Sequence, residues 1–200
     1  MTNNYKKIVQ ENLEQLYKHP PEDLPSALPA EKNGKTLRFQ AFGKRCELGP
    51  NRIILDNEEA PDILGILISL YALYANPAPM KSEPFKGFKD FPNSMPYVGA
   101  FATHTEQILA PYAGKIGPAI PKILSTFDGS EAPAGMIGDF SFVVRPLPKI
   151  SLCYIVYEAD EEFPASVTCL FSANANEFLP MDGLADVGEY TSRAIIDLLT

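Results

Sequence analysis

The stretch that decides the fold is Pro146–Phe171, PLPKISLCYIVYEADEEFPASVTCLF, which joins strand-forming runs to a dense acidic turn and holds two of the three cysteines. Ser151–Tyr157 and Ala165–Phe171 are rich in β-branched and aromatic residues, and Ala159–Pro164 between them is polar and ends in proline. That pattern predicts an antiparallel hairpin. Just upstream, Phe140, Phe142 and Val144 alternate with Ser141, Val143 and Arg145, which predicts a further strand leading into it.

Three more strands are expected nearer the N-terminus, at Thr36–Ala41, Lys44–Leu48 and Arg52–Leu55, separated by Gly43 and by Gly49-Pro50-Asn51. Helical spacing of Tyr5, Ile8, Val9, Leu13 and Leu16 predicts an amphipathic helix over Asn4–Lys18, ended by Pro20 and Pro21. Pro61 opens a helix whose apolar residues Ile63, Leu64, Ile66, Leu67, Leu70, Tyr71, Leu73 and Tyr74 nearly encircle it, so it belongs at the centre of the domain. Two further helices are expected over Tyr97–Ala110 and Pro118–Phe127, with breaks at Ala113-Gly114 and Gly117-Pro118, and an amphipathic helix closes the chain through Leu199.

Pro20–Asn33, with four prolines, reads as an irregular surface connection, and Asn76–Pro96 as a loop punctuated by Phe85, Phe88 and Phe91. Such a long loop is either a functional lid or is pinned to the core by its phenylalanines. Together these elements predict a single α+β domain, residues 1–200, with a mainly antiparallel sheet built from the early meander and the late strands and helices packed on it. A chain of this length buries roughly 70% of the surface its unfolded form exposes and needs no metal or disulfide to fold.

A formal charge of −8 and a sequence pI near 4.8 argue against a phosphate-backbone partner, and no basic amphipathic face addresses an anionic lipid surface. The N-terminal residues lack the apolar core of a signal peptide, and the longest apolar run, Ile63–Ala75, is too short to span a bilayer. Three unevenly spaced cysteines, Cys46, Cys153 and Cys169, make no disulfide framework. A cytoplasmic protein with reduced thiols is the expectation.

No catalytic or cofactor motif is present. The segment APAGMIGD lacks the third glycine and the strand-to-helix setting of a dinucleotide loop, and His104 has no partner at metal-ligand spacing. No cofactor and no metal site is therefore predicted. Two constellations remain. If the hairpin turns about Glu161 and Glu162, Cys153 falls opposite or nearly opposite Cys169, and Ile155 faces Val167; the thiols are then core residues, a redox-sensitive pair, or two of four metal ligands. The second is acidic: Glu158, Asp160, Glu161 and Glu162, with Asp139 one strand away, form either a solvated turn or a carboxylate site.

The run PLPKISLCYIVYEADEEFPASVTCLF, preceded by Gly138-Asp139 and followed by FLPMDGLADVGE, resembles the domain of unknown function 3786 family, an uncharacterised family found mostly in anaerobic bacteria and archaea. The matching elements are Gly138-Asp139, Pro146-Leu147-Pro148, Asp160–Pro164, Leu170-Phe171, Leu179-Pro180, Asp182 and Leu184, with a looser match at Phe85-Lys86-Gly87-Phe88. Some relatives carry a cysteine-rich iron–sulfur segment in addition; this chain has no such cluster. The resemblance transfers no activity.

The leading expectation is a domain that binds a small molecule or a protein partner in anaerobic metabolism. Its pocket is bordered by the aromatic loop and the acidic turn, with Phe85, Phe88, Tyr97, His104, Asp139, Asp160 and Phe163 around it. One alternative is a carboxylate- or metal-dependent enzyme using Glu158, Glu161, Glu162 and His104. The other is a self-associating interaction module.

Overall fold

A computed structural model describes residues 2–21 and 23–200. In chain order the regular elements are α1 (Thr2–Lys18), α2 (Leu24–Ala27), β1 (Glu31–Asn33), β2 (Thr36–Ala41), β3 (Lys44–Leu48), β4 (Ile53–Leu55), β5 (Glu58–Glu59), α3 (Asp62–Leu73), β6 (Lys86–Gly87), α4 (Val98–Phe101), α5 (Ala113–Thr126), β7 (Ser130–Glu131), β8 (Phe140–Leu147), β9 (Ile150–Tyr157), β10 (Ser166–Phe171) and α6 (Met181–Leu199). The α+β class and the antiparallel pairing follow the sequence reading. Pro20–Asn33 is more ordered than expected: it holds α2, and β1 pairs back onto β2 across the Gly34-Lys35 turn. Glu22, within that connection, lies outside the described residues.

The strands form two sheets rather than the one expected. The first is the meander β1-β2-β3-β4-β5, and the second has the order β6-β10-β9-β8-β7. In the first, Leu37, Phe39, Ala41, Cys46, Leu48, Ile53 and Leu55 are buried, while Arg38 and Glu47 face each other across the outer surface at 2.8 Å. The sheets meet at a turn. Phe42 and Gly43 both have positive φ, as a two-residue hairpin turn demands, and the Phe42 N–H donates to the Pro146 carbonyl at 2.7 Å. A side chain at position 43 would lie 2.7 Å from Thr126 Cγ2, so only glycine fits there. Proline at 146 has no N–H to offer its own ladder, and the β8–β9 register shifts between Val144 and Leu147. The β8–β9 ladder is thus irregular where the β2–β3 turn meets it.

Helices cover the buried face of each sheet. Tyr71 of α3 packs on Phe39 with ring centroids 6.2 Å apart, and α3 also lies against α1 and α6, the central position its apolar circumference predicts. On the second sheet, Phe142, Tyr154 and Cys169 share one face, and Tyr154 Oη is hydrogen-bonded to Ser192 Oγ of α6 at 3.0 Å. One continuous hydrophobic core links all of these elements.

Two helical expectations need correction. Tyr97–Ala110 is not one α-helix but α4, a π-helical segment Ala102–Gln107, and a 3₁₀ turn Ala110–Tyr112. Close approach to α6 accompanies this change: a Cβ on Gly188 would lie 2.6 Å from Phe101 and 2.9 Å from Thr105 Oγ1, so these side chains sit directly on the glycine. An added residue in the turn shifts the helical phase. The break expected at Gly117-Pro118 is absent, and α5 runs through both Pro118 and Pro121. The prolines withdraw donors from the carbonyls of Gly114 and Gly117, of which Gly114 is exposed to water.

Asn76–Pro96 is the pinned loop of the two readings, not a free lid. Phe88 and Phe91 are buried: Phe88 stacks on Phe101 at 4.4 Å, and Phe91 meets Phe171 edge-on at 6.1 Å. Its proline-rich part is held by the buried Lys149, whose Nζ donates to the carbonyls of Asn76 at 2.7 Å and Ala78 at 2.9 Å and lies 5.2 Å from the Phe178 ring centroid. Burial holds this ammonium below the ordinary lysine range. Asn174 completes the anchor by accepting from Lys81 N–H at 2.8 Å and donating to the Pro79 carbonyl at 3.1 Å.

Candidate functional site

The β9–β10 ladder pairs Tyr157 with Ser166 and leaves residues 158–165 as its connecting loop. A loop this long is free to wander unless its backbone groups find partners. Here Asp160 supplies them: its Oδ1 accepts from the N–H of Phe163 at 2.7 Å and of Glu162 at 2.8 Å, and its own N–H donates to the Phe163 carbonyl at 3.0 Å. The Phe163 and Glu162 bonds stabilise the ionised carboxylate and lower its pKa. These bonds fix the shape of the Asp160–Pro164 turn. The aspartate fixes the turn, and Phe163 is carried outward with 66% of its surface exposed.

Asp139 ties the base of the loop. Its Oδ2 accepts from the Glu158 N–H at 2.7 Å, and its N–H donates to the Val156 carbonyl at 2.9 Å. The Glu158 carboxylate lies beside the first turn of α5, near Gly114. A shallow groove of about 530 Å³ lies between them, lined by Ala110, Pro111, Ala113, Gly114, Glu158, Ala159 and Ala165. Beside the loop, the Tyr157 hydroxyl donates to the Ile137 carbonyl, and both side chains are exposed, Ile137 by 77%.

The structure thus brings together Asp139, Glu158, Asp160, Glu161, Glu162 and Phe163. It does not bring the aromatic loop to them. Gly87 and Lys86 pair with Leu170 and Phe171 at the far end of β10, and Phe88 lies on Phe171 with centroids 5.9 Å apart. That end is about 17 Å along the strand from the loop, at 3.3 Å per residue. Phe85 and Tyr97 are half-buried, Phe88 is buried, and His104 is exposed on the π-helical segment. Among the described residues no hydrogen bond or ion pair joins His104 to Glu158, Glu161 or Glu162, and no three His, Cys, Asp or Glu side chains converge as metal ligands would.

The cysteine register also differs by one residue from the expected one. Cys169 pairs with Tyr154 and Cys153 with Leu170, while Ile155 faces Thr168 and Val167 faces Val156. A one-residue offset in a strand puts the two thiols on opposite faces of the sheet, so they cannot bond to each other. Both are buried, and burial raises both thiol pKa values, that of Cys153 to about 11.

Sequence reasoning missed Glu106. Its Oε1 accepts from the Cys169 N–H at 2.9 Å, just beyond the point where β6 stops covering β10, and burial raises its pKa despite that bond. No motif announces this residue; it lies on the π-helical segment Ala102–Gln107, which packs against β10.

A family model described as Domain of unknown function (DUF3786) matches residues 20–194. The chain belongs to this family. No curated protein and no solved structure matches it. In this DUF3786 chain no helix among the described residues is long and apolar enough to cross a membrane.

Residues 150–192 hold eight Asp and Glu and no Lys or Arg, so the entire net charge of −8 resides there while the rest of the chain is balanced. The hairpin loop contributes four of the eight, and no cation lies within 4.0 Å of their carboxylates among the described residues.

Proposed function

We propose that this DUF3786 chain is a protein-binding domain that docks its partner through the tip of the β9–β10 hairpin. The observation that carries the reading is Phe163: a large aromatic side chain, 66% exposed, on a turn held in one shape by the Asp160 carboxylate. Soluble domains have a reason to bury such a ring, and an aromatic presented on a preorganised turn binds with little ordering cost. Exposed Ile137 and Tyr157 at the same end of the sheet widen the apolar area available to a partner.

Of the two partner classes expected from the sequence, this favours a protein over a small molecule. A small-molecule pocket shared with the aromatic loop would need Phe85 and Phe88 near the turn, and they pack at the opposite end of β10. The anaerobic setting implied by the family resemblance is retained in this proposal.

A photo-crosslinking phenylalanine analogue placed at position 163 in the native host tests the reading. A discrete covalent adduct with another protein is expected from position 163 and none from the same analogue at exposed Tyr74. Equal labelling at both positions, or none at 163, would remove the proposal.

A further inference from the structure

We infer that the segment docked by this hairpin is basic, presenting Lys or Arg on either side of an apolar contact; the inference rests on the docking proposal above and adds the chemistry of the partner. Three features of the tip lead to it. First, the carboxylates divide by task. Asp139 and Asp160 spend their oxygens on backbone N–H groups of the loop itself, whereas Glu161 and Glu162 make no ion pair or side-chain hydrogen bond to any described residue. Two carboxylates directly precede Phe163 and are free to meet cations from outside.

Second, the hairpin and the Ile137–Asp139 side of the tip carry no cation, and Lys115, beside Gly114 on the adjoining α5, makes no ion pair with the tip carboxylates. There is no Lys or Arg between Lys122 and Arg145, which covers the Ile137 and Asp139 side of the tip, and none between Lys149 and Arg193, which covers the hairpin. Some acids elsewhere on the surface do meet a base of this chain, as in Arg38 with Glu47, Arg145 with Asp128 and Arg193 with Glu189. The tip therefore presents unpaired carboxylates around an exposed ring, and such carboxylates steer oppositely charged partners and reject like-charged ones.

Third, the ring and the charges lie on one clamped turn. The Asp160 bonds that fix Phe163 also fix the Glu162 backbone, so apolar and charged contacts are offered in a constant arrangement. A partner that inserts Phe163 into an apolar recess rimmed by Lys or Arg satisfies both.

The test is selection from a random 12-residue display library on the full chain, with counter-selection on the Phe163→Ser, Glu161→Gln, Glu162→Gln triple variant. Asp160 is untouched in that variant, and an unchanged melting temperature confirms that it folds. Enriched peptides are expected to carry Lys or Arg flanking apolar residues, to bind the wild-type chain about tenfold more tightly than the variant, and to weaken as salt rises and the Debye length shrinks. Neutral or acidic peptides that still require Phe163 would overturn the basic partner and leave the docking proposal standing. No enrichment specific to the wild type would overturn both. Light scattering adds one further outcome: a dimer lost in Phe163→Ser would make the occupant a second copy of this chain and overturn the inference.

Discussion

The backbone N–H of Cys169 donates to the Glu106 carboxylate at 2.9 Å, closing the edge of β10 where the two-residue β6 no longer covers it. An exposed strand edge is a template for unwanted pairing, and an inward carboxylate is one way to block it. Glu106→Ala should leave that donor unsatisfied and cost about 1–3 kcal/mol, read from urea unfolding.

Glu106→Gln separates charge from hydrogen bonding, since its amide oxygen still accepts from Cys169. Burial raises the folded pKa of Glu106 above its ordinary value of 4.5. A raised folded pKa contributes stability that is fully present below the unfolded pKa and lost as pH rises through the folded one. The Gln variant lacks this term, so its stability relative to wild type should increase from pH 4 toward pH 7. Parallel melting curves at every pH would contradict the assignment.

Asp160 has the opposite sign. Its folded pKa is depressed, so the order it gives the turn is present above the ordinary aspartate range and lost as pH falls through the lowered value. Asp160→Ala should erase hydrogen-exchange protection at the Glu162 and Phe163 amides with little change in melting temperature, because the turn is exposed. Loss of partner binding with the fold intact would tie the clamp to function.

Lys149→Met removes two donors from the carbonyls of Asn76 and Ala78 and the cation above Phe178. Charged hydrogen bonds of this kind are worth about 1.5–3 kcal/mol each, so a loss of at least about 2 kcal/mol is expected. Hydrogen exchange should rise first over residues 76–84, and uniform loosening of the whole chain would argue against Lys149 as the local anchor.

The thiols make a fourth case. With Cys153 and Cys169 on opposite faces and Cys46 buried in the first sheet, the native chain should leave all three unlabelled by a bulky thiol reagent and release all three on unfolding. Melting should be unaffected by reductant. An oxidised species containing a Cys153–Cys169 bond would contradict the observed register.

How much of this was legible beforehand depended on the range of the forces involved. Strand alternation in Leu37–Ala41 and Phe140–Val144, the apolar circumference of α3 and the strands flanking Asp160–Pro164 are local patterns, and each stands where the sequence puts it. The shape of the turn was local too, since an aspartate reaching the N–H groups two and three residues on needs nothing from the rest of the chain. The π-helical phase of Ala102–Gln107 was not legible, because the Gly188 surface it packs on lies more than eighty positions away.

Composition and periodicity by themselves determined the α+β class, the antiparallel hairpin and the acidic balance. Tertiary structure alone decided that the strands divide into two sheets, that Cys153 and Cys169 face apart, and that the aromatic loop and the acidic turn occupy opposite ends of β10. The reason is the same in each case. Backbone pairing fixes which residues lie side by side, but a shift of one residue inverts a face and a single bulge redirects a sheet. Such choices are settled by packing between distant segments, here Phe88 on Phe171 and Phe42 against Pro146, and those contacts form only in the folded chain.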